Sequence, residues 1–87
     1  MYQNKRIILI VPFFNERERI GQVVEKAKGT SIDEVCAVND GSIDDGAEIA
    51  AQLGATVLSN SKRMGIGVAI RTGIKYALKN NFDIIVV

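Results

Sequence analysis

The sequence predicts an α/β fold in three layers, α/β/α, with helices on both faces of an open and mostly parallel sheet. Short runs of β-branched residues alternate with amphipathic segments of helical periodicity in the order β-α-β-α-β-α-β. This alternation is typical of parallel strands joined by right-handed helical crossovers. Of the 87 residues, 47% are hydrophobic and 24% are charged, which is typical of one small globular domain with a core.

The first strand is predicted at residues 5–11, which are continuously apolar after a basic start. Pro12 is expected to end the hydrogen-bonded ladder of this strand, because proline has no N–H to donate. The first helix is predicted at residues 15–28, where apolar residues recur at helical spacing. Asn15 and Glu18 resemble a capping box at its start.

The second strand is predicted at residues 34–38 and leads into a turn-rich segment of Asn, Asp, Gly and Ser. Ser42 is a candidate N-cap for the second helix, which is expected to end at Gly54. A short third strand is predicted at residues 55–58, followed by a polar loop that contains glycine.

The third helix has the clearest periodicity, and its large apolar side chains form a stripe of Ile66, Ile70, Ile74 and Leu78. Ala69, Gly73 and Ala77 lie beside this stripe. A fourth strand of the buried type begins at residue 83, so we expect the domain to continue beyond Val87. In the 87-residue chain this strand is expected to expose an apolar edge through which the protein forms a homodimer or aggregates.

Charge and residue content exclude several classes of protein. The formal net charge of +1 lacks the basic excess of a duplex nucleic-acid binder, so no nucleic-acid partner is expected. One cysteine and no histidine exclude an intrachain disulfide, the usual zinc sites and imidazole-dependent triads. The N-terminal apolar stretch is shorter than the roughly 20 residues of a membrane span. The predicted location is cytoplasmic, with the cytoplasmic face of the membrane as the alternative for a longer protein.

Polar and glycine residues concentrate after the first three strands, where ligands bind in open α/β sheets. The clusters are residues 12–16, residues 39–42 and residues 62–67. Each has an ordinary structural explanation as a helix cap, a tight turn or solvated charges. Their convergence on one edge of the sheet favours a binding site.

The chemistry of these clusters suits a nucleotide. A carboxylate or amide after the second strand can pair with a base edge or ribose, and an aromatic ring after the first offers an apolar wall. Gly65 and Gly67 allow a phosphate to approach the N–H groups at the start of the third helix, with Arg63 nearby.

Three segments resemble sequence motifs of family 2 glycosyltransferases, in matching order and spacing. They are VPFFNE at 11–16, VNDGSIDDG at 38–46 and GIGVAIRTG at 65–73. The resemblance covers essentially the whole chain, and the family includes the dolichyl-phosphate mannose and glucose synthases. It implies the GT-A fold. The predicted parallel sheet would then be the Rossmann-like, N-terminal part of that fold.

The resemblance also implies roles for single residues. It places Pro12, Phe14 and Glu16 beside the nucleotide. It places Asn39 and Asp40 against the base or ribose of a UDP- or GDP-linked sugar. Asn39 stands where the family commonly has aspartate, and Phe14 stands where tyrosine is common. No catalytic residue or metal ligand is expected within the chain, because the family's Asp-x-Asp motif for Mg²⁺ or Mn²⁺ follows the fourth strand.

Residues 1–87 are therefore expected to be the N-terminal nucleotide-sugar-binding portion of a hexosyltransferase, truncated before the Asp-x-Asp motif and inactive alone. The resemblance implies that the complete enzyme transfers a sugar with inversion to a polyprenyl phosphate or a saccharide, in cell-envelope or glycolipid biosynthesis. One alternative is a dinucleotide-binding domain with Gly65-x-Gly67, although its third glycine would fall at Ile70. The other is a non-catalytic α/β module that binds a nucleotide or self-associates.

Overall fold

The computed structural model describes residues 1–87, in which four strands and three helices alternate along the chain. They are β1 (Ile7–Phe13), α1 (Arg17–Ala27), β2 (Glu34–Asp40), α2 (Gly46–Gln52), β3 (Thr56–Asn60), α3 (Ile66–Lys79) and β4 (Ile84–Val86). The strands form one parallel sheet in the order β3-β2-β1-β4. The predicted alternation and the parallel sheet are confirmed.

Helices cover both faces of this sheet, which gives the predicted three layers. On one face α1 and α2 pack over a core that includes Phe13, Ile20 and Ala50. On the other face α3 packs over Ile8 and Ile10. Successive side chains of a strand point to opposite faces, so β1 contributes to both cores. None of the three helices has the length and apolar character of a membrane span.

The central strand extends further towards the carboxyl edge of the sheet than predicted. β1 continues through Pro12, which is in register with Val38 of β2. The prediction that Pro12 ends the ladder was therefore wrong. On its other side, β1 pairs with β4 only through Ile7, Ile8 and Leu9. Beyond those residues β1 has no neighbour on the β4 side, and proline is tolerated where a strand has a free edge.

The first two helices start without the predicted caps. α1 begins at Arg17 and α2 at Gly46, and the N-cap residue of neither helix makes a side-chain capping hydrogen bond. The first N–H of each helix donates to the carboxylate of Asp44 instead. The capping box of Asn15 with Glu18 and the N-cap Ser42 were therefore wrong predictions. Asn15 has a φ of +49°, in the left-handed region, whereas an N-cap residue has β-region backbone geometry. Asn15 and Ser42 instead hydrogen-bond between their two loops.

α3 contacts the sheet most closely through its small residues, and of the large apolar stripe Ile74 packs against the same core while the two end residues stay exposed. Ala69, Gly73 and Ala77 are buried, whereas Ile66 and Leu78 are 69% and 65% exposed. A Cβ atom at position 73 would lie 2.4 Å from a side-chain atom of β1. The helix therefore lies so close to the sheet that only small side chains fit between them.

The single cysteine is buried within β2 and is expected to be unreactive. Cys36 is fully buried, and this burial raises the pKa of its thiol to about 11. Because the thiolate is the reactive form, we expect no labelling of the native protein by a thiol reagent at about pH 8. Labelling should become complete after unfolding in urea. Rapid labelling of the folded protein would contradict the placement of Cys36 in the core.

Candidate functional site

A cleft lies at the carboxyl edge of the sheet, where the loops after β1, β2 and β3 meet. Its volume is about 90 Å³, and it is lined by Pro12, Phe13, Phe14, Glu16, Asp40, Arg63 and Ile66. Five of these are predicted binding residues, namely Pro12, Phe14, Glu16, Asp40 and Arg63. The structure therefore brings together residues from all three of the clusters recognised in the sequence.

Gly65 and Gly67 lie at the start of α3 beside the cleft and do not line it. The N–H of Gly65 donates to Oδ2 of Asp40 at 3.0 Å, so it is already occupied. The next N–H groups, those of the first turn of α3, have no acceptor within the helix. Gly67 has no atom within 4 Å of the place where a Cβ would stand, so the approach to this turn is open.

Asn39 does not line the cleft, because its side chain is used in a chain of hydrogen bonds that joins the three loops. Its Nδ2 donates to Oγ of Ser59 at 3.3 Å, and its Oδ1 accepts from the N–H of Ser42 at 2.8 Å. Oγ of Ser42 accepts from the N–H of Asn15, whose own Oδ1 accepts from the N–H of Ile43. Asn39 is 9% exposed and holds the loops together in this structure.

Glu16 is held by Arg19, which lies three residues later in the chain and was not among the predicted binding residues. Nε of Arg19 donates to Oε2 of Glu16 at 2.6 Å, and Nη2 of Arg19 donates to the carbonyl of Pro12 at 2.9 Å. Oε1 of Glu16 also accepts from the N–H of Phe14. The bond from Arg19 is the main reason why the pKa of Glu16 lies below its usual value. Glu16 is therefore a carboxylate near neutral pH, with no proton to donate.

Asp40 is an ionised and nearly buried carboxylate at the end of β2. It is 4% exposed, and its Oδ1 accepts from the N–H of Met64 at 2.8 Å and from Nδ2 of Asn60 at 3.1 Å. Its Oδ2 accepts from the N–H of Gly65. The bond from Met64 is the main reason why the pKa of Asp40 is lowered, with smaller contributions from Asn60, Gly65 and the charge of Arg63.

The guanidinium of Arg63 lies over the aromatic ring that forms one wall of the cleft. Its Cζ is 4.2 Å from the centroid of the Phe14 ring, a cation–π contact. Ligand pockets usually have volumes of about 300–1,000 Å³, well above that of this cleft. A nucleotide would therefore displace the Arg63 side chain from the ring, or it would also contact residues that do not line this cleft.

A larger cavity of about 390 Å³ lies at the opposite edge of the sheet. It is formed by the amino ends of β2 and β3 with the ends of α1 and α2, and its lining includes Val24, Lys28, Asp33 and Leu53. Ligands of parallel α/β sheets bind at the carboxyl ends of the strands, not here. Asp33 is also occupied, by the terminal amine and the N–H of Ile7. We therefore assign the site to the smaller cleft.

No group of three His, Cys, Asp or Glu residues in the chain could hold a metal ion. The two carboxylates of the cleft, Glu16 and Asp40, are engaged by Arg19 and by backbone N–H groups respectively. These residues do not form a metal site by themselves.

The chain matches a known protein family and is similar in sequence to two longer proteins. Residues 8–87 match the family described as Glycosyl transferase family 2. An uncharacterized protein of Methanocaldococcus jannaschii is 39% identical over 83% of this chain and 30% of its own length. The 4,4'-diaponeurosporenoate glycosyltransferase of Staphylococcus aureus is 31% identical over 91% of this chain and 23% of its own. The chain spans less than a third of either relative.

The fold is also similar to a solved structure from Mycobacterium tuberculosis. Glucosyl-3-phosphoglycerate synthase, in complex with Mn²⁺, UDP and glucosyl-3-phosphoglycerate, has a TM-score of 0.76 and 25% identity to this chain. The match covers 94% of this chain and 32% of the synthase. The same enzyme in complex with Mn²⁺, UDP-glucose and phosphoglyceric acid has a TM-score of 0.75.

Proposed function

This chain belongs to glycosyl transferase family 2 and has the GT-A fold, and from that premise we propose that its cleft binds the nucleotide of a nucleotide-diphosphate sugar. The observation that carries the proposal is the meeting of Phe14, Asp40 and Arg63 in one cleft. The Phe14 ring supplies a stacking surface for a base. Arg63 and the N–H groups of the first turn of α3 supply positive charge and donors for a diphosphate.

UDP is the nucleotide that we propose first, with GDP as the alternative, because the similar synthase was crystallised with UDP and UDP-glucose. We propose further that residues 1–87 supply the nucleotide side of a longer inverting hexosyltransferase, whose acceptor is a polyprenyl phosphate or a saccharide. Both relatives are longer than this chain, which supports the proposal that these residues are one part of a longer enzyme. The cytoplasmic location stays a prediction.

A divalent cation, Mg²⁺ or Mn²⁺, is part of this proposal only through residues outside 1–87. The support is the Mn²⁺ in the crystals of the similar synthase, together with the lack of a three-ligand cluster in this chain. We therefore expect nucleotide binding by the 87-residue chain to be unchanged when Mn²⁺ is chelated.

Calorimetric titration of the protein with UDP, GDP and NAD tests the proposal. We expect UDP or GDP to bind more tightly than NAD. The glycine pair Gly65-x-Gly67 follows β3, whereas a dinucleotide fingerprint follows the first strand. Arg63→Ala should weaken binding, and the matched control Arg71→Ala should not, because Arg71 is exposed on α3 and does not line the cleft. Tighter binding of NAD would contradict the proposal.

We also propose that the free edge of β4 makes the 87-residue chain form homodimers. Ile84, Val86 and Val87 are 36%, 41% and 64% exposed, and β4 pairs with β1 on one side only. Unpaired apolar edges associate readily, and a lysine on the edge opposes this. Sedimentation velocity should show a dimer for the wild type and a monomer for Val86→Lys. A wild type that stays monomeric at high concentration would contradict the proposal.

A further inference from the structure

The charges of the chain are segregated along its sequence, although the formal net charge is only +1. Residues 49–82 contain five lysines and arginines and no aspartate or glutamate. All ten acidic residues lie outside this segment, together with the other six basic ones. The balanced total therefore conceals one strongly basic segment, whose cations are Lys62, Arg63, Arg71, Lys75 and Lys79.

Three of these cations form a basic stripe along the outer side of α3. Arg71, Lys75 and Lys79 follow one another at intervals of four residues, so they lie on one side of the helix. All three are exposed, and the opposite side of the helix packs on the sheet. Since α1 and α2 cover the other face of the sheet, α3 presents this stripe to solvent without a neighbouring helix.

No carboxylate of the chain forms an ion pair with this stripe. The structure has four ion pairs, and none of them includes a residue of 49–82. Glu34 reaches α3, but its carboxylate accepts the hydroxyl groups of Tyr76 and Thr56. Asp83, which follows the helix, accepts the N–H of Arg6. The positive charge on the outer side of α3 is therefore not compensated within the chain.

An exposed leucine lies among these cations. Leu78 is 65% exposed and follows Lys75 by three residues, which places it on the same side of α3. Helices that combine basic side chains with exposed apolar ones bind anionic bilayers, because the cations attract lipid headgroups while the apolar side chains enter the interface. The side chains on the outer side of α3 have this combination.

We propose that α3 docks on an anionic membrane surface, with Arg71, Lys75 and Lys79 against the headgroups and Leu78 in the interface. Single-stranded nucleic acid would match the cations, but its bases stack on exposed aromatic rings. The one aromatic residue of α3, Tyr76, is bound to Glu34 instead. The docking does not depend on nucleotide binding. Because α3 starts beside the cleft, a docked chain holds the cleft next to the bilayer.

Sedimentation with lipid vesicles measures the docking of the wild type. It should bind vesicles that contain phosphatidylserine, and it should not bind vesicles of phosphatidylcholine alone. The binding should be lost when the salt concentration rises from about 0.1 M to about 1 M, because the Debye length falls from about 10 Å to about 3 Å. Equal binding to both kinds of vesicle, or no binding to either, would overturn the proposal.

Removal of the stripe tests its role in the binding. The triple variant Arg71→Gln, Lys75→Gln and Lys79→Gln should bind the phosphatidylserine vesicles about 100-fold more weakly, because each cation near an anionic surface contributes roughly fivefold. It should bind UDP as the wild type does, since none of these residues lines the cleft. Leu78→Gln keeps every charge and should still weaken vesicle binding. Wild-type affinity for vesicles in either variant would contradict the docking of this side of α3.

The matched control removes three exposed cations from α1 and its end, on the other face of the sheet, by Arg17→Gln, Lys26→Gln and Lys28→Gln. It changes the net charge by the same amount and should bind the vesicles almost as tightly as the wild type. Equal weakening by both triple variants would show a response to net charge alone, and the assignment to α3 would then be wrong.

NMR spectra of the wild type on bilayer discs with phosphatidylserine and a spin-labelled lipid locate the docked surface, even if a variant failed to fold. The amide signals of Arg71, Lys75 and Leu78 should be attenuated most, and that of Gln22, exposed on α1, should persist. The reverse pattern would overturn the proposal. Tighter binding of a single-stranded oligonucleotide than of the phosphatidylserine vesicles would also overturn it and make nucleic acid the partner.

Discussion

Gly73→Ala is expected to lower the free energy of unfolding by about 1–3 kcal/mol, the usual cost of overpacking a core. The added Cβ would lie 2.4 Å from Cγ2 of Ile10 and 3.2 Å from two further atoms of that side chain. Ile10 is 1% exposed, so its side chain cannot turn out into solvent. Either α3 lifts from the sheet or Ile10 leaves its preferred rotamer. Urea denaturation of the wild type and the variant measures the difference.

Gly67→Ala is the matched control, because Gly67 belongs to the same helix and has nothing within 4 Å of its Cβ position. Alanine favours helix over glycine by roughly 0.5–1 kcal/mol, so this variant should be as stable as the wild type or slightly more stable. If Gly73→Ala were as stable as Gly67→Ala, α3 could not lie on the sheet through its small residues.

Phe14→Ala is expected to weaken UDP binding by about 5- to 150-fold, because stacking of a base on an aromatic ring contributes about 1–3 kcal/mol. The ring lines the cleft and carries Arg63 on one face, so its loss removes both a stacking surface and the support for that cation. Calorimetric titration with UDP gives the change in Kd. Phe14 belongs to neither hydrophobic core, so the free energy of unfolding should change little.

Phe14→Tyr is the control for this prediction, since it keeps the ring and adds only a hydroxyl group. Its affinity for UDP should remain close to that of the wild type. Wild-type affinity in Phe14→Ala would show that the ring does not contact the nucleotide, and the base would then have to lie elsewhere in the cleft.

The alternation of strands and helices could be predicted because hydrophobic periodicity reports local structure directly. The face that α3 buries could not be predicted in the same way. Periodicity marks Ile66 and Leu78 as apolar, yet the close approach of α3 to β1 selects Ala69 and Gly73 for the buried side. That approach depends on the distance between two elements, which no local pattern contains.

The binding residues could be predicted as a group, because the carboxyl ends of parallel strands necessarily meet at one edge. Most of the contacts among them could not. The exception is the ion pair of Glu16 and Arg19, which are three residues apart at the start of α1, a spacing typical of such pairs. Gly41 has the sequence signature of an ordinary turn, and its closeness to Arg63 depends on how the third loop folds back. The use of Asp40 within that loop has the same origin.

The central claim is that the loops after β1, β2 and β3 form one nucleotide site. Mapping the backbone amide shifts by NMR during a titration with UDP tests it most directly. We predict that the perturbed amides lie in residues 13–16, 39–42 and 62–67, which converge on the cleft. Amides at the opposite cavity, such as those of Lys28 and Leu53, should stay unchanged. Perturbation at the opposite cavity, with the three loops silent, would contradict the account.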